Sequence, residues 1–168
     1  PHEVQLTKSV NTLIKEGDKV VGYNTDQGGF EISLSKNNWK PEGKKILIIG
    51  AGGVTPSILS TFVKTKGDNK IYLCNRTRNK AEELKEHWDK IVNLSGLKKN
   101  TIEIVDWGKK IELCDLVINT TSVGLSKDEN INFDFSGYDN NKDSLFYDLI
   151  YNPKETNFLK KAKLRGNR

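Results

Sequence analysis

The stretch KKILIIGAGGVTPSIL, residues 44 to 59, decides the fold of this chain. Its apolar residues 46 to 49 stop at the glycines Gly50, Gly52 and Gly53, and an apolar pattern typical of a helix follows. A buried strand, a tight glycine turn and a helix in this order open a Rossmann fold, in which backbone N–H groups of the turn bind a pyrophosphate. The helix N-terminus favours that negative charge. We therefore expect a dinucleotide to contact Gly50, Ala51, Gly52, Gly53 and Val54.

One departure from the usual G-x-G-x-x-G pattern leaves an alternative open. Thr55 stands at the position of the third glycine. A tight turn between a strand and a helix, binding no ligand, is therefore the alternative interpretation of this stretch.

The end of the second strand indicates which nucleotide binds. Residues 70 to 74 form a short apolar run that leads into Asn75-Arg76-Thr77, and Lys80 follows closely. An NAD site has a carboxylate here, which accepts a hydrogen bond from the ribose 2′-hydroxyl. A guanidinium instead suits a 2′-phosphate, because it can donate two parallel hydrogen bonds. We predict NADP as the cofactor, held here by Asn75, Arg76, Thr77 and Lys80; a solvated basic turn is the alternative.

Composition excludes several classes of protein. The chain has 168 residues, of which 35% are hydrophobic and 29% charged, enough for one domain with a sizeable core. No apolar run has the length of a membrane span and no signal-peptide pattern opens the chain, so we expect a cytoplasmic protein without a membrane partner. Cys74 and Cys114 lie in apolar strands without C-x-x-C spacing, which predicts small buried side chains and no metal site.

The net charge of +5 raises the alternative of an RNA-binding domain. The basic residues are dispersed among 22 acidic ones, and only residues 160 to 165 form a basic stretch. No aromatic and basic platform for stacking bases accompanies that stretch. A solvated helix face is the preferred interpretation, and nucleic acid is not an expected partner.

Strand and helix patterns alternate along the chain, which predicts an α/β fold. We expect a Rossmann-like, doubly wound, mostly parallel sheet with helices on both faces. The predicted strands are residues 18–23, 45–49, 70–74, 101–105, 115–119 and 145–149. The predicted helices run from the Asn24-Thr25-Asp26 cap to about Asn37, from the glycine turn to about Lys66, over 78–94, and over 155–164 with Gly166 as terminator.

The remaining segments set the predicted domain organisation. Residues 125–142 are interpreted as a polar, irregular loop, and the first dozen residues as having no element of their own. We divide the chain into residues 1–16, the end of a preceding domain with its linker, and residues 17–168, the nucleotide-binding domain.

Six motifs make the chain similar to the shikimate dehydrogenase family. In chain order they are VNT at 10–12, GYNTD at 22–26, GAGG at 50–53, NRT at 75–77, INTTSVG at 118–124 and YDLIYNP at 147–153. The resemblance covers residues 10 to 166. It implies NADP-dependent, reversible reduction of 3-dehydroshikimate to shikimate, a step of the shikimate pathway towards chorismate and the aromatic amino acids.

The resemblance implies four residues that act on the substrate. The family's catalytic aspartate corresponds to Asp26, which works with a lysine beside the hydroxyl that gains or loses a proton. Asn11 and Thr25 correspond to residues that bind substrate hydroxyls, and Tyr151 to a tyrosine whose phenol reaches the carboxylate. Ordinary roles as helix cap, turn residue or strand-end aromatic are the alternatives.

Three further residues are expected to contact the cofactor. Leu149 corresponds to the family's apolar residue against the nicotinamide ring, with a buried strand leucine as the alternative. Thr121 and Ser122 follow a predicted strand at its carboxyl end, where open α/β sheets bind their ligands.

Two departures from the family bear on activity. The family's catalytic lysine belongs to a separate N-terminal substrate domain, and only ten residues precede Asn11 here. The family also continues beyond the last helix with a Gly-Leu-Gly-Met segment, whereas this chain stops at Arg168. We expect a fragment that binds the cofactor and is inactive alone, the parent protein being the enzyme. A homodimer is left open as the assembly.

Two alternative functions stay open at this point. The first is a quinate/shikimate dehydrogenase that prefers NAD, against which Arg76 argues. The second is a non-catalytic sensor that binds NADP and has no substrate domain.

Overall fold

The computed structural model describes residues 2–63, 65, 67–95, 100–126 and 128–168. In chain order its elements are α1 (His2–Thr7), β1 (Thr12–Glu16), β2 (Lys19–Tyr23), α2 (Asp26–Lys36), β3 (Lys45–Ile49), α3 (Thr55–Val63), β4 (Lys70–Cys74), α4 (Arg78–Ser95), β5 (Thr101–Ile104), β6 (Leu116–Asn119), a 3₁₀ turn (Ser136–Tyr138), β7 (Leu145–Asp148) and α5 (Asn157–Leu164). Strands and α-helices alternate from β3 to β5, as the sequence predicts, whereas β6 follows β5 without a helix and β7 follows the 3₁₀ turn.

The main sheet has five parallel strands in the order β5-β4-β3-β6-β7. The strand order reverses at β3, which is flanked by β4 on one side and β6 on the other. Neighbouring parallel strands need crossover connections, and the elements in these connections cover both faces of the sheet. The predicted Rossmann-like α/β fold is therefore confirmed.

Each face of the sheet has its own hydrophobic core, because successive strand residues point to opposite faces. Ile46 and Ile48 pack in the core that is covered by α2, α3 and α4. Leu47 and Ile49 point into the other core. This core is covered by α5 and by the aromatic segment, the irregular residues 131–135. The buried aromatic residues of this second core are Tyr72, Phe133, Phe135, Tyr138, Phe146 and Phe158.

A separate antiparallel hairpin precedes the main sheet. β1 pairs with β2 from Thr12↔Tyr23 to Glu16↔Lys19 around the turn at Gly17. The predicted strand at 18–23 corresponds to β2. The expectation of no element in the first dozen residues is wrong, since α1 and the start of β1 lie there. The hairpin joins residues on both sides of the predicted division at 16/17, which stays a prediction.

The predicted loop at 125–142 is irregular in its described residues apart from the short 3₁₀ turn, but it is not polar throughout. Ile131, Phe133 and Phe135 are buried and alternate with exposed polar residues. The described part of α3 ends at Val63, and its predicted end at Lys66 lies outside the described residues. Gly166 follows α5 with φ +84°, as the predicted terminator requires.

Candidate functional site

The glycine turn lies at the carboxyl end of β3, against the loop that follows β6. Gly50 has φ +121°, and a Cβ there would lie 2.5 Å from Thr120 Oγ1 and 2.9 Å from Thr121 Cγ2. Only glycine has both the backbone freedom and the small size for this position. The GAGG motif at 50–53 and the INTTSVG motif at 118–124 are far apart in sequence but pack directly against each other.

Thr55, which stands in place of the third glycine, stabilises this turn through hydrogen bonds of its buried side chain. Its buried hydroxyl donates to Gly50 O at 3.2 Å and lies 3.0 Å from the hydroxyl of Thr120. Thr120 Oγ1 in turn donates to Ile49 O at 3.0 Å. A threonine side chain thus takes the place of the close helix–strand contact that the third glycine otherwise permits.

The outer residues of the turn face open space. Gly52 and Gly53 are exposed, and a Cβ built on either would meet no heavy atom within 4 Å. Packing against the rest of the chain therefore does not require glycine here, whereas close approach of a ligand to the backbone does. Ala51 and Val54 are half-buried beside them.

Asn75 connects the glycine turn to the end of β4. Its Oδ1 accepts a hydrogen bond from Ala51 N at 3.2 Å, and its Nδ2 donates to Thr77 O at 2.9 Å. This hydrogen bond holds the predicted cofactor contacts after β3 next to those after β4.

The cations after β4 differ in how they are paired. Arg78 forms ion pairs with Glu82, at 2.8 Å, and with Asp106, and these raise the pKa of its guanidinium. Arg76 and Lys80 are exposed and form no ion pair with any other residue in the described ranges. No described residue therefore neutralises the positive charge of Arg76, and its contact with a 2′-phosphate stays a prediction.

A cleft of about 550 Å³ opens beside the turn, between the loops that follow β6 and β7. Its lining residues are Val54, Thr120, Thr121, Ser122, Leu125, Leu149, Ile150, Tyr151 and Asn152. Leu149 is half-buried against the sheet core, whereas Tyr151 is 90% exposed. The structure thus brings four of the predicted cofactor contacts and the predicted substrate tyrosine to one concave surface.

The hydroxyl of Thr121 is already engaged within its own loop. It donates to Asn119 Oδ1 at 2.7 Å and accepts from Val123 N at 3.1 Å. Ser122 is exposed at the mouth of the cleft. Of these two residues, Ser122 has the side chain that is more accessible to a ligand.

The three predicted substrate residues outside the cleft form one hydrogen-bonded cluster. Asn11 Nδ2 donates to Asp26 Oδ1 at 2.7 Å. Asn11 Oδ1 accepts from Thr25 N at 3.1 Å and from Thr25 Oγ1 at 3.2 Å. Thr25 precedes α2 but makes no side-chain cap to that helix, so its hydroxyl does not have the alternative role of a helix cap.

Asn24 supports this cluster. The sequence indicates Asn24 only as part of the cap of the following helix. Its Oδ1 accepts from Asp26 N at 3.1 Å, and its buried Nδ2 donates to Ser9 O at 3.1 Å and to Ser57 Oγ at 3.0 Å. It therefore fixes the start of α2 against both α3 and the segment before β1. No local pattern reveals this, because the partners are distant in sequence.

The described residues contain neither a reactive thiol nor a metal site. Burial raises the pKa of each thiol, Cys74 and Cys114, to about 12, so neither is a thiolate near neutral pH. The described residues contain no group of three or more His, Cys, Asp or Glu that could hold a metal. Within the described ranges, none of the helices has the length and apolar character to span a bilayer.

These features define a class of protein. The sheet is parallel and its order reverses at β3, where the glycine turn lies. With an arginine after the next strand that no described residue pairs, these features make a dinucleotide-binding Rossmann domain. The adjoining cluster of Asn11, Thr25 and Asp26 adds polar groups suited to a hydroxylated substrate.

Comparison with known proteins identifies the family. The family model for shikimate / quinate 5-dehydrogenase matches residues 33–155. The shikimate dehydrogenase (NADP(+)) of Pelagibacter ubique is 45% identical over 98% of this chain and 56% of its own length. The chain belongs to the shikimate/quinate 5-dehydrogenase family, as the six motifs predict.

Solved structures agree with this assignment. The shikimate dehydrogenase of Aquifex aeolicus superposes with a TM-score of 0.82 at 34% identity, over 100% of this chain and 57% of that one. A shikimate dehydrogenase in complex with NADP+ gives 0.80 at 32% identity, over 99% of this chain and 56% of that one. The chain thus spans little more than half the length of these relatives.

Proposed function

We propose that this chain is the cofactor-binding part of an enzyme that reversibly reduces 3-dehydroshikimate to shikimate with NADPH. This reaction belongs to the shikimate pathway, towards chorismate and aromatic amino acids. The proposal rests on the family, on the names of the relatives and on the arrangement of the site. A cytoplasmic location, a homodimer and inactivity of the chain alone stay predictions.

The residues present fit NADP. The open space over Gly52 and Gly53 admits a pyrophosphate to the backbone N–H groups at the start of α3. The guanidinium of Arg76, which has no ion pair with a described residue, suits the 2′-phosphate together with Lys80 in the first turn of α4. The cleft beside Leu149 offers an apolar surface for the nicotinamide, which supplies the hydride when bound.

The polar cluster supplies the substrate side of the proposed site. Ketone reduction needs a proton at the oxygen as hydride reaches the carbon, and we assign Asp26 to this proton transfer together with a lysine of a substrate domain. Asn11 and Thr25 have hydrogen-bonding groups for the ring hydroxyls, and Tyr151 is exposed enough to move towards a carboxylate. Asn11 Nδ2 also orients the carboxylate of Asp26.

One observation carries the proposal beyond simple nucleotide binding. Asn11, Thr25 and Asp26 come from two motifs on either side of a hairpin, yet they share three hydrogen bonds. A sensor that only binds NADP does not require this cluster. The enzyme is therefore favoured over the sensor, and Arg76, which no described residue pairs, favours NADP over NAD.

Two measurements test the proposal. Titration of the chain with NADPH and with NADH, followed by nicotinamide fluorescence, should give at least about tenfold tighter binding of NADPH. The complete gene product should reduce NADP+ when shikimate is added. Tighter binding of NADH would overturn the choice of cofactor, and NADPH binding without shikimate oxidation would favour the sensor.

A further inference from the structure

The two walls of the cleft begin at the last residue pair of the sheet's β6–β7 ladder. Asn119 and Asp148 are partners in this ladder. Residues 120–122 and 125 follow the first and line one wall, and residues 149–152 follow the second and line the other. Whatever fixes these two side chains relative to each other also fixes the width of the cleft.

Asn119 organises the first wall with all of its hydrogen-bonding groups. Its Oδ1 accepts from Thr121 N at 2.9 Å and from Thr121 Oγ1 at 2.7 Å. Its Nδ2 donates to Val123 O at 3.1 Å and to Asp148 Oδ1 at 3.0 Å. The residue is fully buried, so no water competes for these bonds.

Asp148 organises the second wall in the same way. Its Oδ1 also accepts from Ile150 N at 3.0 Å, which sets the turn after Leu149. Its Oδ2 accepts from Thr156 Oγ1 at 2.6 Å. Thr156 caps α5 through Leu159 N, so the carboxylate attaches the wall to that helix.

The carboxylate is suited to this position because all three of its partners donate. Hydrogen bonds to an ionised acceptor are shorter and stronger than those between neutral groups. An asparagine at 148 would keep the volume but turn an NH₂ towards one of the donors. An alanine would leave one amide N–H of Asn119 and the hydroxyl of Thr156 without their acceptor in a buried region.

We propose that Asp148 is a positioning residue for the nicotinamide end of the dinucleotide site. It acts through Asn119, Ile150 and Thr156 and does not touch the cofactor. The inference rests on the proposed function, because it takes the cleft as the nicotinamide site. None of the hydrogen bonds of this network in the described residues involves residues 75–80, the predicted adenosine end.

Two ligands separate the ends of the site experimentally. NADPH occupies both ends, whereas 2′,5′-ADP carries the 2′-phosphate and the adenosine but no nicotinamide. Asp148→Ala should weaken NADPH by about tenfold and 2′,5′-ADP by less than about twofold, measured by calorimetric titration. The fluorescence gain of bound NADPH should fall as well. Asp143→Ala, at an exposed carboxylate just before β7, is the matched control and should change neither affinity.

Asp148→Asn keeps the inference falsifiable should the alanine variant not fold. It should show a smaller loss of NADPH affinity and unchanged 2′,5′-ADP affinity, which is partial rescue by the conservative change. Equal losses for both ligands, or no loss for either, would overturn the inference alone. Failure of the unsubstituted chain to bind either ligand would overturn the proposed function and this inference with it.

Discussion

Asn11 donates a hydrogen bond of 2.7 Å to the carboxylate of Asp26, fifteen residues further along the chain. The hairpin β1–β2 makes this possible, because its strands return the chain to the point where it began. The same asparagine accepts from Thr25, so one exposed side chain orients both of its neighbours.

Asn11→Ala should therefore impair catalysis without unfolding the protein. Asn11 is exposed, so the free energy of unfolding should change by less than about 0.5 kcal/mol. In the complete gene product, kcat/KM for shikimate should fall by about 100-fold, because Asp26 and Thr25 lose their common partner. Asn93→Ala, at an exposed asparagine on α4, is the control. Unchanged kcat/KM would show that the cluster is not the substrate site.

Arg76→Ala should lower NADPH affinity by about tenfold and leave NADH affinity unchanged, because the lost interaction is with the 2′-phosphate. Arg78→Ala is the matched comparison, since that guanidinium is already paired with Glu82 and Asp106. Titrations of both variants with both nucleotides check this. The prediction fails if Arg78→Ala, and not Arg76→Ala, removes the preference for NADPH.

Gly50→Ala and Gly52→Ala should act by different routes. The Cβ of an alanine at 50 would lie 2.5 Å from Thr120 Oγ1, and the backbone there has φ +121°. The free energy of unfolding should therefore fall by about 3 kcal/mol or more. Alanine at 52 meets no heavy atom within 4 Å, so stability should hold while NADPH affinity drops. Thermal unfolding and NADPH titration distinguish the two. Normal NADPH binding by Gly52→Ala would argue against a pyrophosphate at that position.

The two buried cysteines should not react with thiol reagents in the folded chain. Their thiols have a pKa raised to about 12 by burial, from an ordinary value of 9.0. The folded state therefore keeps protons that the unfolded state loses, and the free energy of unfolding should fall as the pH rises from 9.0 towards about 12. Reaction with a disulfide reagent at mildly alkaline pH, with and without denaturant, checks the first point. Rapid labelling of the native chain would contradict it.

The main sheet could be predicted from sequence because its strands are short apolar runs bounded by glycine or polar turns. Ile46–Ile49 is the clearest case, being fully buried as a central parallel strand should be. The sequence prediction lacks the first strand of the hairpin, although Gly17-Asp18 between two short runs that contain β-branched residues is a turn signal. Burial of Phe133 and Phe135 was likewise missed, although the alternation of INFDF indicates it.

The site was predictable only as far as motifs go. The positions of Arg76 and Asp26 follow from spacing and from resemblance to the family. The pairing of Arg78 with Asp106 does not, because it depends on how α4 lies beside the loop after β5. The bonds from Asn24 to Ser57 and from Asp148 to Thr156 are equally invisible, since side-chain directions decide them.

The aromatic segment over the second face of the sheet has a consequence for how the domain opens. Between Ile131 and Phe135, no backbone amide donates a hydrogen bond to another described residue, so ring contacts such as Phe135 with Phe146 hold the segment down. Its amides should exchange with deuterium early, while those of β3 and β6 beneath remain protected. We therefore expect this face of the domain to open locally while the hydrogen-bonded parallel sheet stays folded.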